Sequence, residues 1–203
     1  EKALAIKPDY AEAHNNLGNT LKELGQLEAA VKSYEQALAI KPGYAEAHYN
    51  FGTTLKALGQ IETAVKSYEQ ALAIKHDLAE AHSDLGVTLQ ELGQLEGAVK
   101  CFEQALAIKP DYAEAHNNFG NTLKKQGQLE AAVKSYEQAL AIKPDYAEAH
   151  YNLGVTLKEL GQLDAAIKSY EKALAIKPDY AEAWGNVFFT AKALDVSTAQ
   201  NAW

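Results

Sequence analysis

The side chains that could do chemistry in this 203-residue chain recur at a fixed spacing. Histidine stands at His14, His48, His82, His116 and His150, each 34 residues after the last. Two residues beyond each comes an amide or a carboxylate: Asn16, Asn50, Asp84, Asn118 and Asn152, with Asn186 continuing the row. An imidazole can ligate a metal or move a proton, and an amide carries a donor and an acceptor that together match a peptide backbone. The histidines fall one to a structural unit, however, and stacked helices lie roughly 8 to 10 Å apart, too far for two rings to share an ion with bonds near 2 Å. The chain has no HExxH and no pair of cysteines, and its carboxylates alternate with lysines along exposed helix faces. Each glycine has a place in the repeat and none forms a phosphate loop. The expectation is therefore no catalytic residue, no metal and no cofactor.

Charge narrows the partners. There are 27 acidic and 19 basic side chains, a formal net charge of −8, and every basic residue is lysine. Without arginine the chain lacks the planar fork that reads phosphates and base edges, and its acidic balance repels a polyanion, so nucleic acid is excluded. No apolar run approaches the roughly 20 residues that span a bilayer, which excludes membrane insertion. The single cysteine, Cys101, rules out an internal disulfide framework and fits a reducing compartment, the cytoplasm by preference. The chain opens at Glu1 and contains no methionine, so it reads as a fragment.

The elements that position these series follow from the repeat. Segments 9–42, 43–76, 77–110, 111–144 and 145–178 are five copies of one 34-residue unit; residues 1–8 resemble the tail of a copy and 179–203 the start of another. The first and fifth copies differ only at Asn15/Tyr151, Asn19/Val155, Glu28/Asp164, Val31/Ile167 and Gln36/Lys172. Apolar residues at steps of three and four, Leu17, Leu21 and Leu24, then Leu27, Val31, Tyr34 and Leu38, predict two helices per copy. Helix A is expected to be capped by Asp9, with Glu12 completing a capping box, and to stop at Gly25. Helix B is expected over residues 27–41, ended by Pro42. One such hairpin cannot bury its apolar face, so the copies must stack.

Small residues where helices approach (Gly18, Ala30, Ala37), with His14, Leu17, Leu21, Tyr34 and Pro42 around them, resemble the tetratricopeptide repeat. That resemblance spans residue 1 to about Leu194. It implies an all-α fold, a right-handed superhelical solenoid of antiparallel helix pairs forming one array over 1–203, with a partial helix B at 1–8 and a terminal helix A plus a capping or junction segment at 179–203. Two departures stand out: histidine replaces the usual large aromatic at the first bulky position, and His76 replaces the proline that ends the second copy.

The resemblance assigns the inner face of helix A to a concave groove that takes a protein or peptide segment. Its positions include the row of Asn16, and two variable rows: Asn15, Tyr49, Ser83, Asn117 and Tyr151, then Asn19, Thr53, Val87, Asn121 and Val155. Outward positions such as Lys32 and Glu35 do not vary among copies, so variation gathers where a partner would touch. The row of Asn16 resembles the asparagine ladder of the O-linked N-acetylglucosamine transferase arm, with Asp84 as a break. Two readings of that row stand side by side, rungs for a bound backbone or bonds within the scaffold. The carboxylate clamp of chaperone-binding members is excluded by charge, since its positions carry Glu12, Glu46, Glu80, Glu114 and Glu148. The function expected is a non-catalytic binding scaffold like those of bacterial tetratricopeptide proteins. The alternatives are the substrate-recruiting arm of a larger glycosyl- or sulfo-transferase and a self-assembling scaffold. Exposed apolar groups at the two ends, Leu4 and Ile6 against Phe188, Phe189 and Trp203, predict weak end-to-end self-association at high concentration.

Overall fold

The computed structural model describes residues 10–200, with side chains through Leu194, and all the regular structure among them is α-helix. The chain divides into two compact units, Glu1–Ile108 and Lys109–Trp203. In the first, three hairpins follow one another: α1 (Ala11–Glu23) with α2 (Leu27–Ile40), α3 (Ala45–Ala57) with α4 (Ile61–Ile74), and α5 (Ala79–Glu91) with α6 (Leu95–Ile108). The second holds α7 (Ala113–Lys125) with α8 (Leu129–Ile142), α9 (Ala147–Glu159) with α10 (Leu163–Ile176), and α11 (Ala181–Gln200). Odd-numbered helices are helix A and even-numbered ones helix B. The partial helix at 1–8, Asp9, Leu4, Ile6 and Trp203 lie outside the described residues.

The helix starts differ from the expected capping box. Asp77, Asp111 and Asp145 stay outside their helices; the residue after each, Leu78, Tyr112 and Tyr146, takes the N-cap position and makes no side-chain cap bond. Packing has displaced the polar cap. Where that residue is tyrosine its ring lies under the lysine that ends the preceding helix, with Lys109 Nζ 4.6 Å from the Tyr112 centroid and Lys143 Nζ 4.8 Å from that of Tyr146. The acidic residue in each first turn, such as Glu46 or Glu114, supplies the favourable charge at the positive helix end.

The stop of helix A is as expected, and its geometry explains the glycine. Gly25 has φ +73°. Its N–H donates to the Lys22 carbonyl at 2.9 Å while that of Gln26 reaches back to Leu21 at 2.8 Å, the paired bonds that close a helix through a left-handed residue. Asp195 occupies the corresponding position in the last copy. A side chain there does not favour the left-handed turn, and α11 runs on to Gln200, 20 residues where the other A helices have 13.

Within a hairpin the contact that fixes the helices is an aromatic ring laid on a glycine. Tyr34, Tyr68, Phe102, Tyr136 and Tyr170 are all at most 1% exposed. A Cβ added at Gly18, Gly120 or Gly154 would stand 2.6 Å from the ring of Tyr34, Tyr136 or Tyr170. In α11 the same position is Phe188; Phe188, Phe189 and Trp184 are 66%, 64% and 59% exposed.

The histidines tie each hairpin to the loop before it. His48 Nε2–H donates to the Pro42 carbonyl and His116 Nε2–H to that of Pro110, both at 2.9 Å, and His150 repeats the bond to Pro144 at 3.0 Å. Trp184 places its indole N–H on Pro178 at 2.9 Å in the same way. Histidine therefore keeps the ring N–H that a large indole would supply at this position. The bond needs only a carbonyl, so His82 makes it to His76 as well, and the lost proline changes nothing there.

Consecutive A helices touch within each unit, α1 to α3 to α5 and α7 to α9 to α11, whereas consecutive B helices stay farther apart. The A layer is thus the inner side of each unit.

Two glycines separate the roles of ring contact and helix propensity. Gly120→Ala should cost about 1 to 3 kcal/mol, because the Tyr136 ring must leave its place. Gly185→Ala in α11, where a Cβ meets nothing within 4 Å, should be neutral or stabilise by up to about 1 kcal/mol. Urea unfolding followed by circular dichroism reads both; equal effects at the two sites would mean that the ring does not set the glycine.

Candidate functional site

On the inner face the row of Asn16 and the row of Asn15 prove to be two halves of one arrangement. In the first unit Asn50 Nδ2 donates to Asn15 Oδ1 at 3.1 Å, and the Tyr49 hydroxyl donates to Asp84 Oδ2 at 2.9 Å. The second unit repeats it: Asn152 Nδ2 to Asn117 Oδ1 at 3.0 Å and Asn186 Nδ2 to the Tyr151 hydroxyl at 3.1 Å. Partners are 35 residues apart, one repeat and one step, so each bond joins neighbouring A helices.

This placement divides the residues expected to face a partner. Asn15 and Asn117 are fully buried and Ser83 is 3% exposed, so these three offer a bound segment no surface, contrary to the expectation for that row. Tyr49 and Tyr151 are half-buried. Asn16 is exposed, while Asn50, Asp84, Asn118, Asn152 and Asn186 are half-buried. Asp84 does not interrupt the bonding, because a carboxylate accepts from Tyr49 where an amide elsewhere donates. Burial raises the Asp84 carboxyl above its ordinary range, opposed by the Tyr49 hydrogen bond and by Lys56.

The row of Asn19 is also explained by pairing, now within a hairpin. Asn19 Oδ1 accepts from the Tyr34 hydroxyl at 2.8 Å and Asn121 Oδ1 from that of Tyr136 at 2.9 Å. In the third copy valine, Val87, coincides with Phe102, which has no hydroxyl to satisfy. Thr53 turns elsewhere, accepting from Lys22 Nζ at 3.3 Å and donating to the Asn50 carbonyl at 2.8 Å. The fifth copy breaks the match: Val155 accompanies Tyr170, and the Tyr170 hydroxyl is buried with no hydrogen-bond partner.

A further series, unread in the sequence, runs along the end of the A helices. Lys56 pairs with Glu91 at 2.9 Å and Lys124 with Glu159 at 3.8 Å, again one repeat and one step apart. All four are about a quarter exposed or more, so each pair contributes little stability, well under about 1 kcal/mol, but fixes where charge sits on the inner face. The signal that could have found these bonds was the spacing of one repeat plus one.

Chemically, the described residues of the inner face offer amides, hydroxyls, carboxylates and lysines. Burial pushes the Cys101 thiol up to about 11, away from the thiolate. Among the described residues no group of three His, Cys, Asp or Glu could hold a metal ion, and no helix is long and apolar enough to cross a membrane.

Comparison with known proteins agrees with this architecture. A family model described as TPR repeat matches residues 18–59, 52–93, 89–127 and 120–161, and models described as tetratricopeptide repeat match 147–180 and 1–32. Among solved structures, the chain is similar to YrrB, a TPR protein with an unusual peptide-binding site, at 27% identity and a TM-score of 0.77 over 91% of this chain and 95% of that one. It is similar to a thermophilic TPR protein of Thermus thermophilus at 26% identity and a TM-score of 0.66 over 90% and 99%. PilF of Pseudomonas aeruginosa, at 20% identity and a TM-score of 0.81 over 91% and 84%, shares the fold. No curated protein sequence matches.

The Asp84 environment makes a pH-dependent prediction. Its folded-state pKa is raised, so its contribution favours the folded protein at low pH and is lost as pH rises through the folded value. Asp84→Asn keeps an acceptor for Tyr49 and removes the buried charge. It should raise the Tm at pH 7, with the gain vanishing below the carboxylate range. A variant that melts earlier at pH 7 would show that the ionised carboxylate's bonds outweigh its burial.

Proposed function

The chain belongs to the tetratricopeptide repeat family, and on that premise we propose that it is a non-catalytic scaffold whose inner A-helix faces bind an extended segment of another protein. The observation that carries this reading is the state of the amide row. Asn50, Asn152 and Asn186 each commit one N–H to the preceding repeat, which fixes the side chain, and keep a second N–H and a carbonyl for a ligand on the inner face. An amide held in this way has little rotamer freedom left to lose on binding. Asn16 is the exposed member of the row. Scaffold bonding and peptide bonding, opposed in the sequence, are thus compatible at one residue. The peptide-binding site of YrrB, on the same fold at 27% identity, supports the class of ligand.

The test separates faces. A peptide selected on the wild-type chain from a random displayed library should bind Asn16→Ala/Asn118→Ala more weakly by about 1 to 3 kcal/mol, one or two neutral hydrogen bonds per rung, with helicity unchanged. The outer-face variant Lys32→Ala/Lys134→Ala should bind it normally. Fluorescence anisotropy measures both; loss in the outer-face variant with full binding in the inner-face one would overturn the proposal.

A further inference from the structure

One histidine is set apart from its row. His48, His82 and His116 are half-buried, whereas His150 is only 7% exposed. Its Nε2 gives its hydrogen to the Pro144 carbonyl at 3.0 Å, so the neutral ring carries its lone pair on Nδ1. That Nδ1 is buried and has no hydrogen-bond partner, which among the described residues holds for no other histidine. The ring edges a recess of about 610 Å³ formed by α8, α9 and α10, with Leu140, Leu153, Ala175 and Ile176 among its walls. The fifth copy differs here in charge as well. Lys172 lines the recess, at a position that is glutamine in the other copies, Gln36, Gln70, Gln104 and Gln138.

We infer that His150 is an acid-sensitive latch at the joint between the fourth and fifth repeats: protonation of Nδ1 unseats the ring, and Lys172 sets how acidic the medium must become.

A second ring N–H needs an acceptor, and in its seat Nδ1 has none. The imidazolium would also lose solvation that the unfolded chain retains. Burial lowers the His150 ring below the ordinary histidine range; the Pro144 bond opposes this and Lys172 adds to it. Of the helices packed against α9, α8 brings Glu137 and α10 brings Lys172 to the recess, while α7 and α11 bring no charged group to it. In the preceding loop Lys143 is held by Glu114 at 3.6 Å and Asp145 is exposed. On α9 itself Glu148 is two residues away, and residues so spaced do not face each other. The carboxylate to which an imidazolium can turn is therefore Glu137 on the wall of the recess, and turning to it takes the ring off the Pro144 carbonyl. The fifth hairpin then loses its tie to the loop before it. The unfolded chain takes up this proton in the ordinary histidine range and the folded ring at lower pH, so stability is full above that range and falls as pH drops through it.

This latch stands apart from the groove reading, and its test needs no peptide. NMR of the full chain follows the His150 Cε1–H against pH, with N-acetylhistidine N-methylamide as reference. His150 should titrate at lower pH than the reference, and Lys172→Gln should move its midpoint up by a few tenths of a pH unit, the modest effect of an exposed charge. Thermal unfolding at about pH 7.5 and about pH 5.5, either side of the ordinary histidine range, reads the consequence. Tryptophan makes the same bond without titrating, as Trp184 does to Pro178, so His150→Trp should lose several degrees less Tm on acidification than the wild type. His116→Trp controls for ring size and should keep the wild-type loss. If His150→Trp does not fold, the titrations of the wild type and Lys172→Gln decide alone. A His150 that titrates with or above the reference, a midpoint unmoved by Lys172→Gln, or a folded His150→Trp chain with the full acid loss would overturn the latch.

Discussion

Everything in this fold rests on an aromatic ring that leaves no room for a side chain opposite. With Tyr34 or Tyr136 fully buried, a Cβ on the facing helix would come within 2.6 Å, so the helix A backbone is bare at Gly18 and Gly120 and lies directly on the ring. That close approach sets the separation of the two helices in a hairpin. The hairpin in turn presents A helices edge to edge, close enough for side chains 35 residues apart to bond. At Phe188, where α11 carries a side chain in place of that glycine, the aromatic surface is exposed.

Because the copies are nearly identical, their differences can be read as local solutions to one packing problem. Tyr49 with Asp84, Asn117 with Asn152 and Tyr151 with Asn186 are different donor and acceptor pairs filling one geometric slot. Val87 with Phe102 and Asn121 with Tyr136 are likewise two ways of leaving no hydroxyl unsatisfied. Variation on the inner face is therefore coupled variation, and a single change breaks a match. Tyr170 beside Val155 is such a broken match, a buried hydroxyl left without a partner.

Much of the fold is legible in the sequence, because period, apolar steps and helix-stopping glycines are local signals. The helix bounds in the five full copies fall within a residue or two of those expected, though α11 runs past the expected stop to Gln200, and the buried aromatic and small residues are the ones that the spacing singles out. The capping aspartates depart from expectation: a local propensity loses to the packing of Tyr112 and Tyr146 beneath a lysine from the preceding helix. The site is only half legible. Which face turns inward follows from the resemblance, but Asn15, Asn117 and Ser83, expected to face a partner, are buried. Their burial depends on the register between neighbouring A helices, and no one repeat contains that information. The role of the histidines is hidden for the same reason, since their bond goes to a loop carbonyl six residues back.

The central claim is that inner-face residues act as pairs across repeats. A double-mutant cycle on Asn117 and Asn152 tests it directly, with Asn117→Ala, Asn152→Ala and the double variant compared by urea unfolding. If the 3.0 Å bond joins them, the two losses should be coupled by about 0.5 to 1.5 kcal/mol, the double variant losing less than the sum of the singles. Strict additivity, with each single change costing the same whether or not the other residue is present, would contradict the account.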